Sequence, residues 1–221
     1  VNGADTKVRI DGKIKLGRVR IISGTLTVNS TDGYIGELST EGGKTDIDGA
    51  TIGALNTFGG EAVIKNVTAD SLAMCDNRSD ESEYNISIVS GRFGSFTCSA
   101  DSGYNIVKAL ASERRLRGTE SGIIYEYSEI ESLTEATDIT VEKCDHKYAN
   151  GNIAVDDDYV CYYCNSQIIA TVSYTADGSE KTDLFGDIYD AFERANEAGT
   201  ATVTLQKNIT DDITDTIAVT G

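Results

Sequence analysis

The sequence predicts a mainly β protein. A parallel β-solenoid is expected over residues 1–101, a capping helix with strands over 102–143, a small Cys/His knuckle at 144–167 and a β-α-β segment at 168–221. Three observations predict it: an apolar-Gly-x-apolar motif recurs through the first hundred residues, alternation then gives way to a helical period, and four soft metal ligands fall in two close pairs.

The motif reads "LGRV" at 16–19, "IGEL" at 35–38, "IGAL" at 52–55, "ADSL" at 69–72 and "FGSF" at 93–96, at spacings of 19, 17, 17 and 24. The last spacing exceeds 17 by seven. The polar run "DNRSDESEYN" (76–85) supplies an insertion of about that size, expected as a loop thrown out of one rung. Stacking the motifs gives two apolar columns: Leu16, Ile35, Ile52, Ala69 and Phe93, then Val19, Leu38, Leu55, Leu72 and Phe96. Between them, Gly17, Gly36, Gly53, Asp70 and Gly94 read as a corner with positive φ, a conformation that a missing Cβ favours and Asp tolerates. Arg18, Glu37, Ala54, Ser71 and Ser95 read as a column facing water. The runs "VRIISGTLTV", "EAVIKNV" and "NISIVSG" supply strands, and a coil whose turns bond to one another buries both columns. An antiparallel sandwich with coincidental spacing would contain similar strands; the glycine column argues against it.

In "SGYNIVKALASERRLRG" (102–118), Tyr104, Val107, Leu110 and Ala111 share a helical face, with Ser102 placed to cap its start and Gly118 its end. Such a helix would cover the last rung, whose edge could otherwise pair with other chains. Arg114, Arg115 and Arg117 form a basic cluster in an acidic chain. They either complement the helix dipole or grip an anion such as a sulfated or sialylated glycan. "GIIYEY" and "DITVEK" read as strands. Beyond the knuckle come a strand, a turn at Asp177-Gly178, a helix and two further strands. That helix carries Leu184, Phe185, Ile188, Tyr189, Phe192 and Ala195 on one face, with Thr182 as its cap and Gly199 as its end.

The knuckle reads Cys144-x-His146, fourteen residues, then Cys161-x-x-Cys164. Three thiols and an imidazole in two pairs suit a structural zinc ion, since each pair spans one edge of a tetrahedron. With four protein ligands no position is left for a catalytic water. A disulfide from Cys161 to Cys164, or from Cys144 to either, is the alternative. Asp156, Asp157 and Asp158 offer carboxylates for calcium or merely a solvated loop. Cys75 and Cys98 follow motifs on neighbouring rungs, as a disulfide or as packed thiols.

A net charge of -17 disfavours nucleic acid as a partner, and no apolar run is long enough to cross a bilayer. The opening "VNGADTKVRI", which lacks an initiator methionine, suggests a mature or excised segment. With one Met, no Trp, no Pro and 22 Gly, the composition is that of a bacterial exoprotein more than of a cytosolic enzyme. Catalysis on a solenoid would need clustered carboxylates beside a base; Asp46 and Asp48 with Lys65 are the best candidate, though Asp in "DG" also reads as a turn residue. The chain has one histidine and neither a GxSxG elbow nor a P-loop.

"SGRFGSF", the expected helix after the last rung, "ITVEKCDHKY" with "YVCYYC", and "DLFGDIYDAFERANEAGTATVTLQKNITDDI" resemble repeat modules of large cell-surface proteins from Gram-positive gut bacteria. In these, pectate-lyase-like β-helix domains alternate with small connectors. The resemblance spans nearly the whole chain. It implies a right-handed solenoid, an extracellular place on the bacterial cell surface among neighbouring modules, and contact with a host protein, immunoglobulin included, or a glycan. It also implies that the last segment opens a following β-helix. The expectation is a non-enzymatic binding or adhesion module; a stalk without a ligand and a polysaccharide-active enzyme are the alternatives.

Overall fold

The computed structural model describes residues 1–74, 84–98 and 106–206. The chain divides into two compact units, Val1–Lys143 and Cys144–Gly221.

The first unit is a parallel β-solenoid of about four turns. Its strands are β1 (Lys7–Asp11), β2 (Lys15–Ile21), β3 (Thr25–Asn29), β4 (Tyr34–Asp48), β5 (Thr51–Lys65), β6 (Val67–Met74), β7 (Tyr84–Ile88) and β8 (Gly91–Cys98). β4 takes β2 on its first half and β3 on its second, and β5 in the same way takes β6 and β7. Each long strand is therefore a whole rung folded at a corner. The register sets Leu16 against Ile35, Ile35 against Ile52, Ile52 against Ala69 and Ala69 against Phe93. It sets Val19, Leu38, Leu55, Leu72 and Phe96 in line the same way. Both apolar columns are thus real, and from the second rung onward they are buried. Met74 still pairs with Thr57, while Tyr84 pairs with Gly60, so the register places the seven extra residues between Met74 and Tyr84. Cys75 and most of the polar run lie outside the described residues.

The glycine column is not the corner. Gly17, Gly36, Gly53 and Gly94 lie inside strands and none has positive φ. A Cβ on Gly36 would stand 2.5 Å from the Gly17 carbonyl oxygen, one on Gly53 2.5 Å from that of Gly36, and one on Gly94 2.7 Å from that of Asp70. At Gly36, Gly53 and Gly94 the neighbouring backbone stands too close for a side chain, whereas Gly17 has open space and Asp70 carries a side chain in the same column. The left-handed corner is made instead by Gly43 (φ 72°) and Gly60 (φ 81°), where a Cβ on Gly60 would stand 2.5 Å from the Gly43 carbonyl oxygen of the neighbouring rung.

The cap differs from the expected helix. Among the described residues of that run only Ile106–Ala109 is helical (α1), with Ile106 and Ala109 buried; Leu110 then bridges to Ile88. Ser102 and Tyr104 lie outside the described residues. Arg114–Gly118 is a strand, β9, so Gly118 ends a strand and not a helix. After a single turn, α2 (Tyr127–Ile130), the strand β10 (Glu135–Lys143) pairs antiparallel with β8 on one side and β9 on the other. Alternation in "RRLRG" buries Leu116 while Arg115 and Arg117 share the other face, and the β10 ladder decides the conformation. The open edge of β8 is closed by β10.

In the second unit, β11 (Ala170–Ala176), β12 (Ser179–Phe185) and β13 (Ala201–Leu205) form an antiparallel sheet in the order β12-β11-β13. The Asp177-Gly178 turn joins β11 to β12, both residues having positive φ. Helix α3 (Ile188–Ala198) packs Ile188, Ala191 and Ala195 against Ala170 and Val172. It starts later than the sequence predicts. Leu184 and Phe185 finish β12, and Asp187 is the cap, accepting from the N–H groups of Tyr189 (2.7 Å) and Asp190 (3.3 Å), while Thr182 pairs across to Ser173. Gly199, at φ 77°, closes the helix as expected. The last predicted strand lies outside the described residues.

The reassigned glycine column gives a controlled comparison. Gly53→Ala should destabilise the chain by about 1–3 kcal/mol, because backbone must move to admit the methyl group. Gly17→Ala has nothing within 4 Å of the added carbon and should shift stability by less than about 1 kcal/mol. Urea midpoints of the two variants check this.

Candidate metal centre

The stretch from Cys144 to Cys164 has neither helix nor named strand; isolated bridges join Lys147 to Ile153 and Val155 to Cys161. Two backbone bonds tie its halves: Ala154 N–H donates to the His146 carbonyl at 2.8 Å, and Tyr162 N–H to the Ala154 carbonyl at 3.1 Å. Each ligand pair sits on a turn with a left-handed residue, His146 (φ 56°) in the first and Asn165 (φ 56°) just after the second. Backbone N–H groups point at sulfur in both, from His146 to Cys144 Sγ and from Tyr163 to Cys161 Sγ, each at 3.4 Å.

The four donor atoms of Cys144, His146, Cys161 and Cys164 lie within 4.8 Å of one another. Cys144, Cys161 and His146 are buried and Cys164 is half-buried. Around a tetrahedral ion with metal–sulfur bonds of about 2.3 Å and metal–nitrogen bonds of about 2.0 Å, sulfur–sulfur edges are about 3.8 Å and sulfur–nitrogen edges about 3.5 Å. Cys144 Sγ stands 3.6 Å from Cys161 Sγ, and Cys164 Sγ 3.5 Å from His146 Nδ1. Both distances match edges of a tetrahedron, and the group could hold a metal ion. A disulfide would need about 2.05 Å.

The thiols share protons unequally. Hydrogen bonds from the Cys144 and Cys164 thiols, helped by the N–H groups of Tyr163 and Cys164, hold Cys161 well below the ordinary thiol range despite burial. The hydrogen bond to Cys161, then that to Cys164 and burial, push Cys144 upward. An incoming cation must displace whatever thiol protons the group still holds, so metal capture here releases protons.

One residue beyond His146, Lys147 reaches out of the knuckle to Asp183 on β12 at 3.1 Å. Asp183 also accepts from Tyr174 Oη (2.9 Å) and Arg194 Nε (3.0 Å), and the Arg194 guanidinium lies 4.2 Å from the centre of the Tyr174 ring. Partial burial alone would raise the Asp183 carboxyl. The three donors, Arg194, Lys147 and Tyr174, outweigh it and hold the group below the usual carboxylate range. This cluster joins knuckle, sheet and α3, and the sequence analysis missed it. Its partners are up to 36 residues apart and have no common spacing.

The other candidates are placed as follows. Arg115 and Arg117 both bond Glu142 on β10, at 3.0 Å each, and Arg114 donates to the Val89 carbonyl at 2.7 Å. Asp48 pairs with Lys65 at 3.4 Å across the β4–β5 register and accepts from Asn66 Nδ2 at 2.7 Å; Asp46 is exposed two residues earlier. Asp156 turns its carboxylate on the N–H groups of Asp158 and Val160, shaping a turn, and the Asp triplet does not gather as a metal site. Cys98 ends β8 half-buried, its suggested partner Cys75 being outside the described residues. No family model, curated protein or solved structure matches the chain.

Asp183→Asn keeps the shape of the cluster and removes its charge, and should cost about 1–3 kcal/mol at neutral pH. Because the folded-state carboxyl is depressed, its contribution is present above the unfolded value of about 3.9 and is lost as pH falls through the lower folded one. Unfolding midpoints of the two chains should therefore converge on acidification below about pH 4. Chelation at neutral pH should speed amide exchange across 144–167 while leaving the β4–β5 ladder protected.

Proposed function

We propose that this chain is a non-enzymatic, extracellular binding module of a bacterial surface protein, in which Cys144, His146, Cys161 and Cys164 hold a structural zinc ion. The closed donor set carries this reading. Three sulfurs and one nitrogen come from the protein alone, so an ion bound by all four would have no place for a reacting water or substrate, and this donor set suits zinc. The acidic, Gly- and Thr-rich composition and the resemblance to surface modules support the extracellular place, with a host protein or glycan as partner and neighbouring modules on either side.

A spacer without a ligand is the second reading, and one observation favours it. Charged side chains on the outer face of the solenoid pair from rung to rung: Arg18 with Glu37, Arg20 with Glu41, Lys44 with Glu61 and Lys65 with Asp48. Such pairs stiffen a surface and occupy groups that a ligand would use, though each contributes little to stability.

The folded chain passed over serum, intestinal mucus and a glycan array should retain a saturable partner, with immunoglobulin scored separately. Retention of nothing from all three would leave the spacer reading.

A further inference from the structure

Exposed large apolar side chains are scattered singly over most of the described chain, but Tyr148, Ile153, Tyr159 and Tyr162 all lie between Cys144 and Cys164. Three are tyrosines, and the ligands themselves place two of them. Tyr162 and Tyr163 are the residues between Cys161 and Cys164, and Tyr148 follows His146 by two. The Tyr163 ring is buried and stands edge-on to Tyr148, at 80° with centroids 5.8 Å apart. Tyr148 and Tyr162, 36% and 40% exposed, lie side by side with centroids 6.3 Å apart and planes tilted by 31°. A buried ring thus props one of two rings that keep surface open to solvent.

Area and charge together indicate what such a platform fits. A large aromatic side chain offers about 150–250 Å² in all, so two half-exposed rings fall far short of the roughly 800 Å² per partner of a stable protein interface. They match a ligand of one or two rings. The knuckle carries Asp145, Asp156, Asp157 and Asp158 against Lys147, so an anionic ligand is repelled. Two of those carboxylates, Asp145 and Asp156, are already turned on backbone N–H groups, which weakens the draw on a cation. The turn after Tyr148 carries two exposed asparagines: Tyr148 N–H donates to the Asn152 carbonyl at 2.8 Å and Asn152 N–H to Asn150 Oδ1 at 3.0 Å, and these bonds use neither the Asn150 amide N–H groups nor the Asn152 side chain. An apolar ring face beside neutral amide groups is the chemistry of a pyranose site, where C–H groups stack and hydroxyls bond to amides.

We propose that Tyr148 and Tyr162 form a stacking platform for one or two rings of a neutral saccharide, with Asn150 and Asn152 at its rim, and that the metal centre sets the platform. This rests on the reading of the chain as a binding module and names the class of ligand. A platform fixed by ligands on the same turns is ordered before binding, which lowers the entropy cost of capture.

The test uses the full metal-loaded chain, titrated with neutral oligosaccharides of glucose, galactose, mannose and N-acetylglucosamine, and with sialyllactose and a lysine-rich peptide as charged probes. The chain has no tryptophan and 11 tyrosines, so tyrosine emission reports saturation while the NMR contacts report the place. At least one neutral saccharide should saturate the chain; Tyr148→Ala and Tyr162→Ala should each weaken it by about tenfold, and Tyr162→Phe should retain it. A chelator should abolish binding. Saturation-transfer NMR on the unmutated chain should place the sugar on the Tyr148 and Tyr162 rings, which covers the case of an alanine variant that loses metal. The proposal is overturned if no neutral saccharide saturates, if a charged probe binds more tightly, or if contacts map to other residues. A serum or mucus partner retained equally by both alanine variants would reject this site and keep the binding module. A chain that retains nothing rejects both.

Discussion

Convergence of four donor atoms is the constraint on which the stretch from Cys144 to Cys164 depends. Between Cys144 and Cys164 the chain has no helix or named strand, and apart from the ligands only Ala154 and Tyr163 are buried. Fixing such a stretch costs about 1–2 kcal/mol of backbone entropy per residue, and two side chains cannot offset that. A metal ion bound by all four donors would tie its binding free energy to the ordering of this stretch. His146 and Asn165 hold left-handed backbones at the two turns that carry the donors, a conformation Asn adopts readily. Lys147, carried on the turn of His146, then meets Asp183, and Tyr148 and Tyr162 take their direction from the same two turns.

The solenoid obeys a different constraint, close stacking of parallel backbones. Each rung offers its carbonyls to the next at a distance that excludes a Cβ at Gly36, Gly53 and Gly94, and the apolar columns on either side of that line fill the interior. Because burial is shared among rungs, stability accrues by repetition. The end of the stack is closed by main-chain bonding, with β10 running antiparallel along β8. The arginines of β9 meet Glu142 across that added sheet, so the most basic run in the second half of the solenoid unit serves its closing strands.

Much of this was legible in the sequence where the signal was periodic. The two apolar columns, the size of the insertion and the four metal ligands followed from spacing, because rungs in register and ligands on an ion both demand fixed intervals. The function of Gly53 was not legible, since a corner and a close approach both select the missing Cβ. Gly24, Gly43 and Gly60 recur at the same 19 and 17 spacings and would have located the true corner. "RRLRG" carries a strand alternation, yet it follows a helical run directly, and only the partner strand β10 decides between them. Asp187 was readable as a helix cap from "GDIYDAF", but the apolar Leu184 and Phe185 before it extended the helical face one turn too far. The Asp183 cluster joins residues that only the folded sheet brings together.

Native mass spectrometry of the chain, purified without added chelator or reductant, tests the metal centre most directly. The account predicts a mass greater than that of the polypeptide by one zinc ion less the protons it displaces, with the increment lost in Cys161→Ser. A metal-free chain lighter by two hydrogens, with the missing pair mapped to Cys144, Cys161 or Cys164, would contradict it and make the knuckle a disulfide staple.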